Sequence, residues 1–355
     1  MKLFTCSHCG QLIYFENTYC EQCRLNLGFE TGNLELVALQ NEENGLFNLH
    51  DKKTSQRYRY CSNYQYGVCN WLIPDNNDSL FCIACDLNHK IPDLGNPEYV
   101  QEWKTIETAK HRLIYSILRM KLPLVSKTAN EQTGLAFDFV ADTGLPKDEK
   151  IFTGHDNGLI TINIAEADDI KREMTRISMQ EVYRTVLGHF RHEIAHYYWD
   201  RLIANSDKTE TFRQLFGDER IDYAEALKKH YELGNPADWQ SNFISAYAST
   251  HPGEDWAETW AHYMHIAHTL ETAYAFGLSI GPRGQHTADN LQAEIKSDPY
   301  RVRDFEKIIQ LWLPLTFALN SLNRSMGLND LYPFVISPPV IEKMKFVHTV
   351  IGEYK

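Results

Sequence analysis

The sequence predicts an α+β protein in two parts, a cysteine-stapled N-terminal module and a larger, mostly α-helical domain with a small sheet. Three observations carry that prediction. All eight cysteines lie within the first 85 residues. The chain beyond residue 98 is dominated by apolar stripes at helical spacing. Only two stretches of that later region alternate as strands do. With 355 residues and 43% hydrophobic content, the chain exceeds one small domain and has material for a sizeable core beside the module.

The cysteines come first in the chain and fall into two groups of four. Cys6 and Cys9, then Cys20 and Cys23, make two CxxC pairs, the spacing of a tetrahedral four-thiolate zinc site. Cys61, Cys69, Cys82 and Cys85 form the second group, with one irregular pair and one CxxC. Four protein ligands close a tetrahedron and leave no place for water or substrate, so both sites are read as structural zinc. His8 and His89 stand near the groups, but four thiolates each leave them no vacancy. The competing reading is disulfides. It is disfavoured because Met1-Lys2-Leu3-Phe4-Thr5 shows no apolar secretory segment, which points to a reducing cytoplasm. A module this small buries little apolar surface, so metal supplies folding energy that a core would otherwise supply.

The module is read as residues 1–92. A proline and glycine stretch from Ile91 to Pro97 separates it from a domain over 98–355, which opens on a helix from Glu98 to Met120. Leu135 to Val140 and Gly158 to Ile164 alternate as strands. A helix over about 180–204 follows, free of proline, and within it lies His192-Glu193-Ile194-Ala195-His196, an HExxH pattern. Residues four apart stack on one helix face, so His192 and His196 can present imidazole nitrogens to a single ion. Glu193 beside them is placed to take a proton from water that a zinc ion has acidified. That is the chemistry of peptide-bond hydrolysis.

A third ligand must come from elsewhere. Trp199 and Leu202 occupy the glycine and histidine places of the longer HExxHxxGxxH pattern, which excludes that class. The best source is the stretch from Tyr247 to Tyr263, where Pro252-Gly253 turns into a second amphipathic helix. Glu254 and Glu258 share a face of it. Glu254 is assigned to the metal, and Glu258 to a hydrogen bond that holds a ligating imidazole in one tautomer. Both could instead be solvent-facing acids favoured at a helix start. Tyr247 is placed to donate to the oxyanion of a tetrahedral intermediate, though a loop tyrosine more often only packs. Beyond residue 205 the chain reads as helical. Leu311 to Leu319 is a buried helix rather than a membrane span, and after a proline-rich stretch from Pro333 to Pro339 a last helix runs from Ile341 to Ile351.

The order Tyr247, Glu254, Glu258 after HExxH resembles the lethal-factor-like branch of gluzincins. There the first Glu is the ligand and the Tyr assists catalysis. Over nearly its full length the chain is similar to the bacterial zinc-binding metallopeptidases with an N-terminal zinc ribbon. The matching stretches are CNWLIP at 69–74, FCIAC at 81–85, TGHDNGLITINIAEADD at 153–169, YRTVLGHFRHEIAHYYWDRLI at 183–203 and NRSMGLNDLYPFVIS at 323–337. The resemblance implies a rubredoxin-like ribbon, a zincin-like catalytic domain, one catalytic and two structural zinc ions, and a peptide or protein substrate. It says nothing of which substrate. It also implies that residues 158–164 form a sheet edge that pairs with extended substrate, against the plainer reading of a covered strand.

Several other residues invite a role. His189 precedes His192 by three, but three histidines of one helix rarely converge on one ion, so packing is the simpler reading. His262, His265, His155 and Asp156 are candidate cleft residues, and Asp200 either orients His196 or faces solvent. Charge argues against nucleic acid: 35 Lys plus Arg against 47 Asp plus Glu gives −12, and Lys52, Lys53, Arg57 and Arg59 make no large basic patch. The ribbon is therefore read as docking a protein partner or presenting substrate. Two rival functions stay open, a metal-dependent amidohydrolase acting on a non-peptide amide and a zinc-ribbon adaptor with a vestigial HExxH site.

Overall fold

A computed structural model of the chain describes residues 2–50, 55–142, 153–178, 183–283 and 291–354. It has two compact units, one of residues 2–119 with 124–175 and the other of residues 120–123 with those from 176 onward.

The first unit begins with the hairpin β1 (Phe4–Thr5) and β2 (Leu12–Ile13). A five-stranded antiparallel sheet follows, in the order β3 (Leu27–Glu30), β4 (Glu35–Asn41), β5 (Phe47–Leu49), β6 (Tyr58–Tyr60), β7 (Leu72–Pro74). Val37, Leu39, Leu49, Tyr58 and Leu72 pack on one another, so alternate residues of neighbouring strands meet on one face. A bridge between Phe29 and Trp71 draws the two ends of this sheet together. β8 (Asn88–Lys90) leads into α1 (Pro97–Met120), with β9 (Ala136–Val140), β10 (Gly154–Asp156), β11 (Leu159–Asn163) and α2 (Asp169–Ser178) beyond it. Tyr115 of α1 meets Phe4, Phe15 and Phe29 at centroid distances of 6.5, 5.6 and 6.2 Å, which seats the helix on the ribbon.

The second sheet has the order β10-β11-β9-β8, which corrects the expected edge strand. β11 pairs parallel with β9 along its length and antiparallel with β10 over Leu159–Thr161, so that part of its outer edge is covered. The cause is local. Asn157 (φ 47°) and Gly158 (φ 80°) both take the left-handed conformation of a tight hairpin turn, and the turn folds β10 back over the edge β11 would otherwise offer. His155 Nε2 accepts from the Gly158 N–H at 2.9 Å and closes that turn, so His155 has a structural task here.

The second unit is helical: α3 (Val186–Leu202), α4 (Thr209–Phe216), α5 (Tyr223–Leu233), α6 (Pro252–Ala275), α7 (Phe305–Ser325) and α8 (Pro338–Gly352), with a short hairpin of β12 (Ser279–Ile280) and β13 (Ala293–Glu294). α3 starts later than expected. Residues 179–182 lie outside the described residues, and 183–185 are not helical. Thr185 is extended (φ −137°, ψ 152°) and its hydroxyl accepts from the Gly188 N–H at 3.0 Å, capping the helix at Val186. Thr185→Ala is expected to cost about 1 kcal/mol, read as a lower urea midpoint at unchanged slope. Pro252 and Gly253 are the first turn of α6 rather than a turn before it, with His251 as the cap. In α7, Trp312 and Leu315 are buried while Leu313 and Phe317 are exposed, so the expected buried helix is buried on one face only. No described helix is long and apolar enough to cross a membrane.

α6 is buried on nearly every side and organises this unit. Trp256 donates from Nε1 to the Ala195 carbonyl of α3 at 2.8 Å, and Trp260 stacks on Tyr198 of α3 with centroids 5.3 Å apart. On α8, Lys343 Nζ lies 2.6 Å from Asp255 Oδ2 and 2.7 Å from the Asn242 carbonyl, a buried pair in which burial still pushes the Asp255 carboxyl up to about 7.

Candidate functional site

The ribbon cysteines assemble as two groups, Cys6, Cys9, Cys20, Cys23 and Cys61, Cys69, Cys82, Cys85. None is in a disulfide. Sulfur separations are 3.7 Å for Cys6 and Cys23, 3.6 Å for Cys9 and Cys20, and 3.7 Å for Cys69 and Cys82. A tetrahedron with Zn–S bonds of about 2.3 Å has edges of about 3.8 Å, so both groups fit zinc. The backbone shapes the first group: Gly10 (φ 74°) and Arg24 (φ 62°) turn the chain after each CxxC, and each donates its N–H to the carbonyl of the pair's first cysteine, at 2.9 and 2.8 Å. Among the described residues, no metal-capable group includes His8 or His89. Instead His89 Nδ1 is 2.7 Å from Asp138, and His8 packs its ring on His50. Arg57 pairs with Asp75 at 3.0 Å and Arg59 donates to the Asn77 and Ser79 carbonyls, while Lys52 and Lys53 lie outside the described residues.

In the second unit, α3 presents His192 and His196, and α6 brings Glu254 to them. His192 Nε2 and His196 Nε2 are 3.3 Å apart; Glu254 lies 3.0 Å from the first through Oε2 and 3.7 Å from the second through Oε1. The Glu258 carboxylate is 2.7 Å from His192 Nδ1. A ring that donates from Nδ1 to Glu258 leaves Nε2 with a bare lone pair, and the buried Glu254 Oε2 then finds no hydrogen-bond donor. Lone pairs converging without protons between them are what a cation resolves. Edges of about 3.3 Å belong to a tetrahedron with zinc bonds of about 2.0–2.1 Å to nitrogen and oxygen, so this donor set fits zinc as well.

Electrostatics follow from burial and crowding. With no ion at Nε2, burial opposes charge on His192 but the Glu254 and Glu258 carboxylates outweigh it and hold its pKa well above the ordinary value; a dication on Nε2 would displace that proton. Burial would raise the Glu254 carboxyl, yet contact with His192 brings it down to about 2. Glu193 is also buried but lacks such a partner, and burial raises it to about 7. A bound dication would lower it again.

Tyr247 sits in a short 3₁₀ turn (Tyr247–Ser249) with its ring 6.0 Å from that of His192. Beside it is a phenol that sequence reading missed: Tyr223, whose Oη is 3.4 Å from Tyr247 Oη and whose pKa is raised by burial and then by the Glu254 charge. The cap Asp222, accepting from the Glu225 N–H, marks a helix start at Tyr223, but nothing local ties it to a site 31 residues on. His262 is outside the metal-capable group and bonds Tyr332 Oη through Nδ1 at 2.8 Å. His265 packs its ring against Tyr183, Trp312 and Tyr332. His189 is outside the metal-capable group, and Asp200 is exposed.

Known proteins resemble the chain along most of its length. Residues 3–96 match a zinc-ribbon domain, and residues 99–350 match the family described as "Putative zinc-binding metallo-peptidase". Uncharacterized proteins of Mycobacterium bovis (Mb2598c) and Mycobacterium tuberculosis (MT2644 and Rv2568c) are each 41% identical over 354 residues, covering 99% of this chain and 96% of theirs. No solved structure matches the chain significantly. A family match across most of the chain, with relatives similar from end to end, means that this protein belongs to the putative zinc-binding metallo-peptidase family and carries that family's fold behind an N-terminal zinc ribbon.

Proposed function

We propose that the protein is a zinc-dependent peptidase whose centre is built on α3 and α6. The observation that carries this reading is the convergence of His192, His196 and Glu254, with Glu258 fixing the His192 tautomer. His192, His196 and Glu254 would hold the ion. Zinc in such a set supplies Lewis acidity, lowering the pKa of water and polarising a carbonyl. Glu193 takes the proton released from the attacking water and passes it to the leaving amine, a task that suits a buried carboxylate next to a ligand. Tyr247 keeps its proton because burial raises its pKa, so it serves as a hydrogen-bond donor to the carbonyl oxygen as that oxygen gains charge. Glu258 holds the imidazole. Replacing it with Gln is expected to weaken zinc binding about 10- to 100-fold, measured by competition with a chromogenic chelator.

The two cysteine groups are proposed as structural zinc sites that fold the ribbon, and the ribbon as a surface for a protein partner or substrate. The family matches, falling on either side of residues 97–98, support residues 1–92 as the ribbon module and 98–355 as the catalytic region of the sequence, while in the fold α1 and β9–β11 pack into the ribbon's compact unit. The test is digestion of an unbiased peptide library, with products sequenced by mass spectrometry. Cleavage that stops with chelator and returns with zinc is the expected result. Hydrolysis confined to non-peptide amides would instead favour the amidohydrolase. A Glu193→Gln protein that keeps full biological activity would favour the adaptor.

A further inference from the structure

The two cysteine groups differ in their access to water. Cys9 and Cys23 of the first group are partly exposed, whereas Cys61, Cys69, Cys82 and Cys85 are all buried. Four thiolates around a dication leave two surplus negative charges. Water can solvate them at the first group, but at the second the protein must supply the donors. Two are backbone N–H groups, Trp71 to Cys69 Sγ and Cys82 to Cys61 Sγ, each at 3.4 Å. Cys85 has a side chain of α1 instead. His111 Nε2 lies 3.7 Å from its sulfur.

His111 is held firmly. With an acceptor at each ring nitrogen it carries both N–H protons, as an imidazolium: Nδ1 donates to the Glu107 carbonyl at 2.7 Å and lies 3.3 Å from the Glu107 carboxylate. That carboxylate is fully buried, accepts from Trp103 Nε1 at 3.1 Å and from Asn88 Nδ2 at 2.6 Å, and pairs with the equally buried Lys110 at 2.9 Å. Lys110 Nζ also bonds Asn88 Oδ1 and lies 5.6 Å from the Phe139 ring. Cys85, Glu107 and His111 are close enough to hold an ion of their own. Lys110 excludes that, since an ammonium on the same carboxylate repels a second cation.

We propose that His111, fixed in place by Glu107 and Lys110, is a positioning residue of the second four-cysteine site: it donates from Nε2 to Cys85 Sγ and ties zinc retention there to helix α1. The chain of contacts, Lys110 to Glu107 to His111 to Cys85, places a cation behind a thiolate that water does not reach. It also joins the two matched regions inside one compact unit, because Cys85 belongs to the zinc-ribbon match and α1 to the metallo-peptidase match. Losing zinc from the second site then removes one anchor of the helix that opens the metallo-peptidase region, the aromatic seat of Tyr115 being the other.

The test challenges zinc-loaded full-length protein with a chelator in the presence of a maleimide and follows alkylation of each cysteine by peptide mass spectrometry. In His111→Phe, the second group is expected to be alkylated about tenfold faster than in wild type, with the first group unchanged. His111→Gln, which keeps a donor near the Nε2 position, is expected to restore most of the protection. Wild-type protection in His111→Phe would overturn the proposal. So would equal acceleration of both groups, which would indicate a loosened unit. Should His111→Phe fail to fold, the Glu107→Gln, Lys110→Met double variant removes the charges that hold His111 without breaking a pair. Faster alkylation of the second group alone supports the proposal, and a wild-type rate there overturns it.

Discussion

Replacing His192 and His196 together with alanine is expected to lower bound zinc from about three ions per chain to about two, measured by elemental mass spectrometry on purified protein. The ribbon groups have four cysteines each, enough to close a tetrahedron, so their two ions are expected to stay whatever happens on α3. The α3–α6 set has two imidazoles and one carboxylate, and without its imidazoles only Glu254 remains. One carboxylate does not retain zinc against dialysis. An unchanged count in the variant would mean that α3 holds no ion, and the peptidase reading would fall with it. Far-ultraviolet circular dichroism should be nearly unchanged, because both imidazoles lie beside the packed face of α3 while Trp256 and Trp260 still lock α6 against Ala195 and Tyr198.

Glu193→Gln is expected to reduce hydrolysis about 10²- to 10⁴-fold while zinc content and KM stay near wild type. The amide matches the carboxylate in shape, so packing on α3 is preserved, but it has no basic oxygen to take a proton from water. Glu193 is also not one of the metal-capable residues, so its loss leaves the donor set intact. Peptide turnover by the variant, read against its zinc content, separates the two roles. Lost activity with retained zinc assigns Glu193 to proton transfer. Lost zinc would make it a ligand or a structural residue, and full activity would remove it from the reaction.

Much of the local structure was legible. The strands near 136–140 and 159–163 and the first and last helices fall within a few residues of their expected bounds, because each has a strong period or a proline and glycine border. The start of α3 was misplaced because the apolar stripe continues upstream, while the Thr185 hydroxyl, one atom, ends the helix. The five-stranded ribbon sheet was not anticipated: its three-residue strands are too short to show a period and are held by their neighbours. The edge position of residues 158–164 failed for a related reason. That expectation came from the resemblance alone, and only the pairing of a particular chain reports whether a strand's edge is free.

The candidate centre divides in the same way. HExxH places His192 and His196 on one helix face through helical geometry alone, and the CxxC pairs preform half of each thiolate site, so these were readable without a fold. The choice of Glu254 as the group beside both imidazoles, the contact of Glu258 with Nδ1, the approach of Tyr223 and the hold of His111 on Cys85 are all long-range. They depend on how Trp256 and Trp260 set α6 against α3 and how Tyr115 seats α1 on the ribbon. By itself the sequence determined which residues bear the chemistry and which lie on a common helix face, since rise and twist are constants of the backbone. Only the tertiary structure decided which faces meet, because that depends on side-chain packing between segments distant in the chain, and no local period encodes it.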